Sequence, residues 1–246
     1  MKRLVAALFA FFFLGFQSPL AAAPLTTPAG LAPGTHFRYI YLTSGTTLAT
    51  STAIADYNSF VQAQASGATY AGATVNWKAV GSTATVDARD NVGGFGTTVP
   101  VYLVTGTRVF NDMTSNGGGL WGAATTNLPV PVDIAIDGST ITGGVFAWSG
   151  SHSDGLKYGG LELGNAGNVR FGFANNGSLG QSWIDGFNAP GALSAHRMYA
   201  VSEELVVPAA TPVPTLSQWA MILLGLILAG GAAVLINQRR GSYPAV

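Results

Sequence analysis

The chain has 246 residues, of which 48% are hydrophobic, 9% are charged and none is cysteine. Its eleven basic and eleven acidic residues cancel, but Lys2, Arg3, Arg239 and Arg240 flank two terminal apolar segments, which leaves seven basic against eleven acidic residues between them. This acidic balance excludes nucleic-acid binding, which needs a basic surface, and the absence of thiols excludes cysteine catalysis and thiolate zinc sites.

The first 23 residues have the pattern of a secretory signal peptide. Lys2 and Arg3 precede an uncharged apolar stretch at residues 4–16, and Ala21 to Ala23 supply an A-x-A ending. As a helix this stretch is about 20 Å long, which is shorter than a ~30 Å hydrocarbon core. We therefore predict export through the Sec translocon and cleavage by signal peptidase, with a retained N-terminal anchor as the alternative.

Residues 24–36 form a lead segment, and residues 37–205 are predicted to form one Gly-rich exported domain. About 190 residues between the terminal segments are enough for a stable core without disulfides. Low charge together with abundant Gly, Thr, Ser, Ala and Asn is typical of a folded, turn-rich chain with β-structure rather than of a disordered one.

The predicted elements of this domain begin with a strand at residues 37–43, which are aromatic and β-branched. A helix follows, capped by Ser51 or Thr52 and ended by Gly67. Its buried face, at helical spacing, consists of Ile54, Tyr57, Val61 and Ala65. Further strands are predicted at residues 75–80, 99–104, 107–110 (a hairpin around Gly106), 130–136, 144–148, 168–173 and 197–201. One early helix followed by short strands predicts an α+β fold.

Two segments of the body, residues 41–61 and 77–91, resemble segments that recur in uncharacterised exported proteins with PEP-CTERM-type tails. The order of helix, Trp77 strand, Pro-Val-Tyr strand, Leu120-Trp121 and Trp148-Ser-Gly-Ser also resembles endostatin-like and C-type-lectin-like domains. That second resemblance implies a compact binding fold. It does not imply calcium-mediated sugar binding, because the Glu-Pro-Asn, Gln-Pro-Asp and Trp-Asn-Asp motifs of calcium-dependent lectins are missing.

Five polar residues of the body form a candidate surface site. Asp87, Arg89 and Asp90 are the densest charge group, interpreted as a salt-bridge network or helix cap with a functional site as the alternative. His152 and Asp154 lie in Gly-Ser-His-Ser-Asp-Gly, which lacks the Gly-x-Ser-x-Gly spacing of serine hydrolases and predicts a polar turn with an exposed histidine.

Other patterns favour structure over chemistry. Residues 117–122 match GxGxxG formally, but no strand is predicted before them, so a glycine-rich loop is expected. The three histidines have no ligand-spaced partner, and we expect no metal or cofactor. Eight aromatic residues are expected to be mostly core, with a sugar-stacking platform among them as the alternative: Tyr39, Tyr41, Tyr70, Trp77, Tyr102, Trp121, Trp148 and Trp183.

The C-terminal region has the pattern of a stiff spacer followed by a transmembrane helix. Residues 206–212 are Pro-rich, and residues 219–236 contain no charge and span about 27 Å as a helix. Their nine Leu, Ile or Val residues contribute roughly −3 to −5 kcal/mol toward insertion. Arg239 and Arg240 end the span, so residues 241–246 are predicted to be a cytoplasmic tail and the body to face outward.

Residues 213–240 resemble the IPTL-CTERM sorting domain, a variant of the PEP-CTERM signals of Gram-negative bacteria. The family motif Ile-Pro-Thr-Leu-Ser-(Glu/Gln)-Trp is matched, with valine for isoleucine, by Val213, Pro214, Thr215, Leu216, Ser217, Gln218 and Trp219. An apolar helix and the Arg239-Arg240 pair follow in the family's order. The resemblance implies processing by an exosortase, a membrane enzyme expected to read Pro214, Thr215 and Leu216.

The sequence therefore predicts an exported protein that is anchored in the inner membrane with its body in the periplasm and is later displayed at the cell surface or in the extracellular matrix. The leading hypothesis is a non-enzymatic protein that binds polysaccharide or another envelope component. One alternative is a secreted hydrolase of surface polymers that uses Asp87 or Asp90 with another carboxylate. A further alternative is a self-assembling structural subunit of the matrix.

Overall fold

The computed structural model describes residues 24–122, 128, 130–143, 145–174, 183–209 and 216–240. The predicted signal peptide, residues 213–215 of the sorting motif and the predicted cytoplasmic tail lie outside this range. The chain divides into two compact units, one that ends at Pro208 and one that begins at Ala209.

The first unit consists of eleven strands and two helices among its described residues. In chain order they are β1 (His36–Leu42), α1 (Ile54–Gln64), β2 (Thr69–Tyr70), β3 (Ala73–Thr74), β4 (Trp77–Ala79), α2 (Ala88–Val92), β5 (Val101–Leu103), β6 (Arg108–Phe110), β7 (Phe146–Trp148), β8 (Asn168–Phe173), β9 (Phe187–Pro190), β10 (Arg197–Ser202) and β11 (Leu205–Val206).

Nine of the strands form one mixed sheet in the order β6-β5-β1-β10-β7-β8-β9, with β11 also paired to β1 and β4 also paired to β10. Strand β1 lies at the centre, parallel to β5 and antiparallel to β10. Its residues after His36 are all buried, as its aromatic and β-branched sequence predicts. The predicted α+β class is confirmed.

Helix α1 packs against β4 through the predicted face. Tyr57 and Val61 are buried, and Gly67, at φ +84°, ends the turn that follows the helix. The predicted cap is wrong, because the N-cap residue is Ala53 and no side chain caps it. Ser51 lies too early in the chain for that role; its hydroxyl accepts a hydrogen bond from the Ala53 N–H (3.1 Å) and donates one to the Asp56 carboxylate (2.6 Å).

The predicted strand at residues 130–136 is also wrong. Only Ile134 makes a strand-like contact there, an isolated bridge to Thr140, and its carbonyl accepts the Leu42 N–H (2.8 Å). The chain turns back at Asp137 and Gly138, where Gly138 has φ +83° and the Asp137 carboxylate accepts the amide and hydroxyl of Ser139. Pro131, inside the predicted strand, has no N–H to donate to a neighbouring strand, which disfavours a regular strand here.

The hairpin of β5 and β6 is confirmed. The Leu103 N–H donates to the Thr107 carbonyl (2.8 Å), and Gly106 between them has φ +91°. The C-terminal boundary of the domain lies later than predicted. Val206, which was assigned to the spacer, belongs to β11, and the Val207 N–H donates to the Thr35 carbonyl (2.9 Å), which joins the two ends of the domain.

The core lies on both sides of β1 and β10 and is rich in aromatic rings. All eight aromatic residues named above are buried, so none of them forms an exposed sugar-stacking platform. Tyr41 shows their structural role: its ring meets Trp77 edge to face at 4.8 Å, and its hydroxyl donates to the Val61 carbonyl (2.5 Å), which joins α1 to the sheet. Burial raises the pKa of Tyr41 far above its usual value.

The second unit contains helix α3 (Leu216–Arg240). Its segment Gln218–Asn237 has a mean hydropathy of 2.4 and is long and apolar enough to cross a membrane. At 1.5 Å per residue these 20 residues span about 30 Å, the thickness of a hydrocarbon core.

Candidate functional site

The sorting segment, residues 213–240, begins in the Pro-rich stretch and continues into α3. Leu216 is the first residue of the helix, two positions after Pro214, and the Arg239–Arg240 pair occupies its last turn. Trp219, which is 54% exposed, lies one turn from the start of the helix. An aromatic residue at one end and a basic pair at the other are typical of a helix that spans a bilayer.

The two groups of the predicted surface site are in contact. Asp87 precedes α2 as its N-cap residue, and its carboxylate accepts the Lys157 N–H (2.8 Å). The Arg89 N–H donates to the Gly155 carbonyl (3.3 Å). Gly155 has φ +79°, and a Cβ there would lie 2.5 Å from the Trp121 ring. These contacts make a close-packed joint between α2 and the turn at residues 152–157.

Asp87 occupies the predicted helix-cap position at the start of α2, without a side-chain cap hydrogen bond, but the predicted salt-bridge network is not found in the part of the chain that the structure describes. No salt bridge among the described residues involves Asp87, Arg89, Asp90 or Asp154. The Arg89 guanidinium instead lies over the Phe95 ring, 4.6 Å from its centroid. The Asp154 carboxylate accepts the Leu156 N–H (3.0 Å), which closes the predicted polar turn. The joint is therefore organised by backbone hydrogen bonds rather than by ion pairs.

His152 belongs to a second set of side chains, here called the His152 cluster, that includes Tyr158, Arg170 and Asp185. The imidazole stacks on the Tyr158 ring (centroids 4.0 Å apart), and its Nδ1 lies 3.5 Å from an Asp185 carboxylate oxygen. Arg170 Nε lies 2.6 Å from the other carboxylate oxygen of Asp185. The Arg170 guanidinium also lies over the Tyr158 ring, with Cζ 5.0 Å from the ring centroid. Asp185 thus joins the histidine to β8.

The His152 cluster has one element of a catalytic site but not a triad. A carboxylate at Nδ1 fixes the orientation of an imidazole, and the His152 side chain is 44% exposed. The neighbouring Ser151 is fully buried, and its hydroxyl is bonded to Ser82 Oγ (2.8 Å) and to the Ser149 carbonyl (2.9 Å). Ser151 is therefore part of a buried hydrogen-bond network and does not act as a nucleophile for His152.

A separate groove of about 910 Å³ lies between α1 and the connection from β10 to β11, and is here called the α1 groove. This volume is at the upper end of the range for ligand sites, about 300–1,000 Å³. The groove is open to solvent and its lining is mixed polar and apolar. Four charged side chains line it: Arg38, Lys78, Glu203 and Glu204.

Amide side chains hold the walls of the α1 groove together. Gln62, on α1, donates to the Val75 carbonyl (3.1 Å) and accepts the Trp77 N–H (2.8 Å). Asn76 donates from its backbone and side chain to the Glu203 carboxylate (3.1 and 2.8 Å). These bonds tie α1 to β4 and β4 to the end of β10, so the groove is formed by residues that are already fixed by their own partners.

Arg38 is the most buried charge of the groove, at 6% exposure. Its Nη1 donates to the Val92 and Ser202 carbonyls (3.1 and 3.0 Å), while Nε is buried without a partner. Burial lowers the pKa of the guanidinium, and the nearby Glu204 and Glu203 charges act in the opposite direction. Arg38 and its hydrogen-bond partner Ser202 are 164 positions apart, and only the pairing of β1 with β10 brings Arg38 close to Ser202 and the adjacent Glu203. Nothing in the sequence marks these residues as neighbours.

Comparison with known families identifies one segment of the chain. Residues 211–240 match the IPTL-CTERM motif, which confirms the predicted sorting domain. No curated protein matches the sequence. The chain therefore carries the C-terminal sorting signal of an exported protein on a helix fit to anchor it in a membrane, and this motif implies a sorting enzyme of the exosortase type.

Proposed function

We propose that the body is a non-enzymatic surface or matrix protein that binds polysaccharide or another envelope component after export. The observation that carries the proposal is the IPTL-CTERM match at residues 211–240 together with the apolar segment Gln218–Asn237. A body followed by such a signal is addressed to the outside of the inner membrane, where envelope polymers are the abundant neighbours.

The proposed route has three steps. The Sec translocon exports the chain and signal peptidase removes residues 1–23, after which α3 holds the body in the periplasm of a Gram-negative bacterium. An exosortase then reads Pro214, Thr215 and Leu216 and releases or transfers the body to the cell surface. The Arg239–Arg240 pair stays on the cytoplasmic side, because positive charge is retained there.

Protease treatment of intact spheroplasts tests the location. Because the body faces outward, the full-length protein expressed in a Gram-negative host that lacks an exosortase is expected to lose its body to added protease, while a cytoplasmic marker survives. In a host that has an exosortase, replacement of Pro214, Thr215 and Leu216 by alanine is expected to leave the body accessible but uncleaved at its C-terminal side. Protection of the body from protease in spheroplasts would overturn the proposed route.

A glycan array tests the proposed binding. The full-length protein in detergent is expected to bind at least one class of polysaccharide reproducibly and to release no reducing ends from it. Absence of binding to every glycan would remove the binding part of the proposal, and release of sugar would replace it by an enzymatic function.

The second candidate function is a hydrolase of surface polymers, and the His152 cluster is the observation that favours it. With Nδ1 directed at Asp185, His152 could accept a proton from water as the water attacks the substrate. Asp87, the carboxylate expected to act in this alternative, is engaged by the Lys157 N–H, whereas Asp90 is exposed. If a screen finds an activity, His152→Gln and Asp90→Asn should be compared: loss in the first alone assigns the reaction to the cluster.

A further inference from the structure

We propose that the α1 groove is the binding site of the body and that it takes an uncharged, hydroxyl-rich glycan chain. This inference rests on the proposed glycan binding and adds to it a place on the molecule and a chemical class of ligand.

The charges of the groove favour an uncharged ligand. Two cationic side chains, Arg38 and Lys78, and two carboxylates, Glu203 and Glu204, line it, so their formal charges cancel. Arg38 is only 6% exposed and Glu204 is paired with His36, which leaves Lys78 and Glu203 as the more available charges of each sign. A polyanion would be attracted by the two cations but repelled at similar range by the two carboxylates. A polycation would be attracted by the carboxylates and repelled by the cations. A neutral chain avoids both penalties.

The groove supplies both hydrogen-bond donors and acceptors. Lys78 offers donors only, and the carboxylates of Glu203 and Glu204 offer acceptors only, while exposed hydroxyls such as Ser59 and Thr74 offer both. Both Glu203 oxygens already accept hydrogen bonds from Asn76, and Glu204 Oε1 lies 2.5 Å from His36 Nδ1. A sugar hydroxyl, which donates one hydrogen bond and accepts others, can still bind the remaining lone pairs of these carboxylates as well as Lys78 and the exposed hydroxyls. Ligands that carry only acceptors, such as phosphate, cannot pair with the carboxylates.

A peptide fits the same groove less well. Peptide-binding grooves hold anchor side chains in apolar pockets, and they expose aromatic or aliphatic groups for that purpose. In the α1 groove the two large apolar residues, Trp77 and Val92, are 2% and 6% exposed, and none of the strongly exposed apolar side chains of the described body lies in it. The apolar surface at its floor is therefore too small for such an anchor.

The walls of the groove are held in place without a ligand. Gln62 and Asn76 make the hydrogen bonds that join α1, β4 and Glu203, and Asn58 accepts the Ala79 N–H (2.9 Å). A pre-formed site loses little conformational entropy on binding, which matters for a ligand that gains only exposed hydrogen bonds. The open shape also admits the middle of a long chain, whereas an enclosed cavity would admit only its end.

Affinity electrophoresis tests the inference with a matched pair of variants. Ala63 and Ala55 are both exposed residues of α1, but only Ala63 lines the groove. Full-length protein in detergent is run through native gels that contain hydroxyethyl cellulose or dextran, which are neutral, or alginate, which is a polyanion. Wild type and Ala55→Trp are expected to be retarded alike by at least one neutral polymer, and Ala63→Trp to lose at least tenfold in affinity because the indole fills the groove.

The other outcomes separate the two proposals. Equal retardation of Ala63→Trp and Ala55→Trp, repeated with Ser66→Trp at the same wall, would overturn the groove as the site and leave glycan binding standing. Retardation by alginate alone would overturn the uncharged ligand. Failure of the wild type in every gel, together with an empty glycan array, would remove the binding function itself. Circular dichroism of each variant confirms that the fold is intact.

Discussion

Apolar side chains are mostly buried in the exported body and exposed on helix α3. In the body, the tryptophans and most of the tyrosines lie in the core, and Trp77 is 2% exposed. In α3, Met221 is 73% exposed and Trp219 is 54% exposed, and the described segment Gln218–Asn237 has no buried residue. The body therefore buries its large aromatic side chains in its own core, whereas the apolar side chains of α3 are exposed and are stabilised by an apolar solvent such as the bilayer interior.

The body and α3 are also stabilised by different interactions. The body is held by long-range contacts, such as the pairing of β1 with β10 and the joint of α2 with the turn at residues 152–157. Helix α3 satisfies its backbone within itself and gains its free energy from the solvent around it, residue by residue. Changes in the body should therefore alter its unfolding, and changes in α3 should alter its partition into the membrane.

The largest effect is expected from two charges in the middle of α3. Leu224→Arg with Ile227→Arg costs about 5–7 kcal/mol of insertion free energy, which outweighs the roughly −3 to −5 kcal/mol that the aliphatic residues contribute. The protein should move from the membrane pellet to the soluble fraction after carbonate extraction. The control with alanine at both positions should stay in the pellet. If the double arginine variant also stays there, α3 is not the anchor.

A matched pair of tryptophan substitutions sharpens the contrast. Trp77→Ala should lower the free energy of unfolding of the body by about 3–5 kcal/mol, because it removes a buried ring that packs on Tyr41. Trp219→Ala, in α3, should leave that free energy unchanged. Urea unfolding followed by near-ultraviolet circular dichroism measures both. Equal midpoints for the two variants would contradict the separation of the units.

A smaller effect is expected where Gly94 packs against Arg38. Gly94 has φ +77°, and a Cβ there would lie 2.8 Å from Arg38 Nη2. Gly94→Ala should lower the free energy of unfolding by about 1–2 kcal/mol, through backbone strain and displacement of the guanidinium. Gly159→Ala has open space around it and no positive φ, so it should be neutral. Thermal unfolding of the two variants distinguishes them, and a neutral Gly94→Ala would show that Arg38 is not held there.

The smallest effect is a pH dependence of the body that α3 lacks. Burial among Trp148, Phe146 and Phe171 lowers the pKa of His196 below its usual value of 6.5, and its Nε2 is buried without a partner. The unfolded chain therefore takes up the proton first, so stability is complete above about pH 6.5 and falls as the pH drops toward the folded pKa.

Urea titrations between pH 7.5 and 5 should show this loss in the wild type and a smaller one in His196→Phe. Retention of the protein in the membrane should not change over that range, because the segment Gln218–Asn237 contains no ionisable side chain. A pH dependence that is the same in wild type and His196→Phe would exclude His196 as its source.

The sequence predicted best what depends on neighbouring residues. The sorting motif, the apolar span, the buried face of α1 and the hairpin at Gly106 are all local patterns, and the structure or the family match bears them out. The prediction of a strand at residues 130–136 failed because it gave too little weight to Pro131, which cannot donate a hydrogen bond to a neighbouring strand. Short elements such as α2 and β9 carry too few residues for a period to be seen.

The candidate sites depend on contacts between distant segments, and the sequence therefore predicted less of them. His152 was recognised as exposed, but its partner Asp185 lies 33 positions away and only the pairing of β8 with β9 brings that loop to it. The α1 groove was not predicted at all, since its charged residues are remote in the chain. Arg38 and Lys78 lie in β1 and β4, which both pair with β10, and Glu203 directly follows β10.

Intact-mass spectrometry of the protein recovered from the envelope of a host with an exosortase tests the central claim most directly. The account predicts a mature form that has lost the first two dozen residues and, where sorting has occurred, the residues beyond about Pro214. A full-length chain recovered from the cytosol with both apolar ends intact would contradict it.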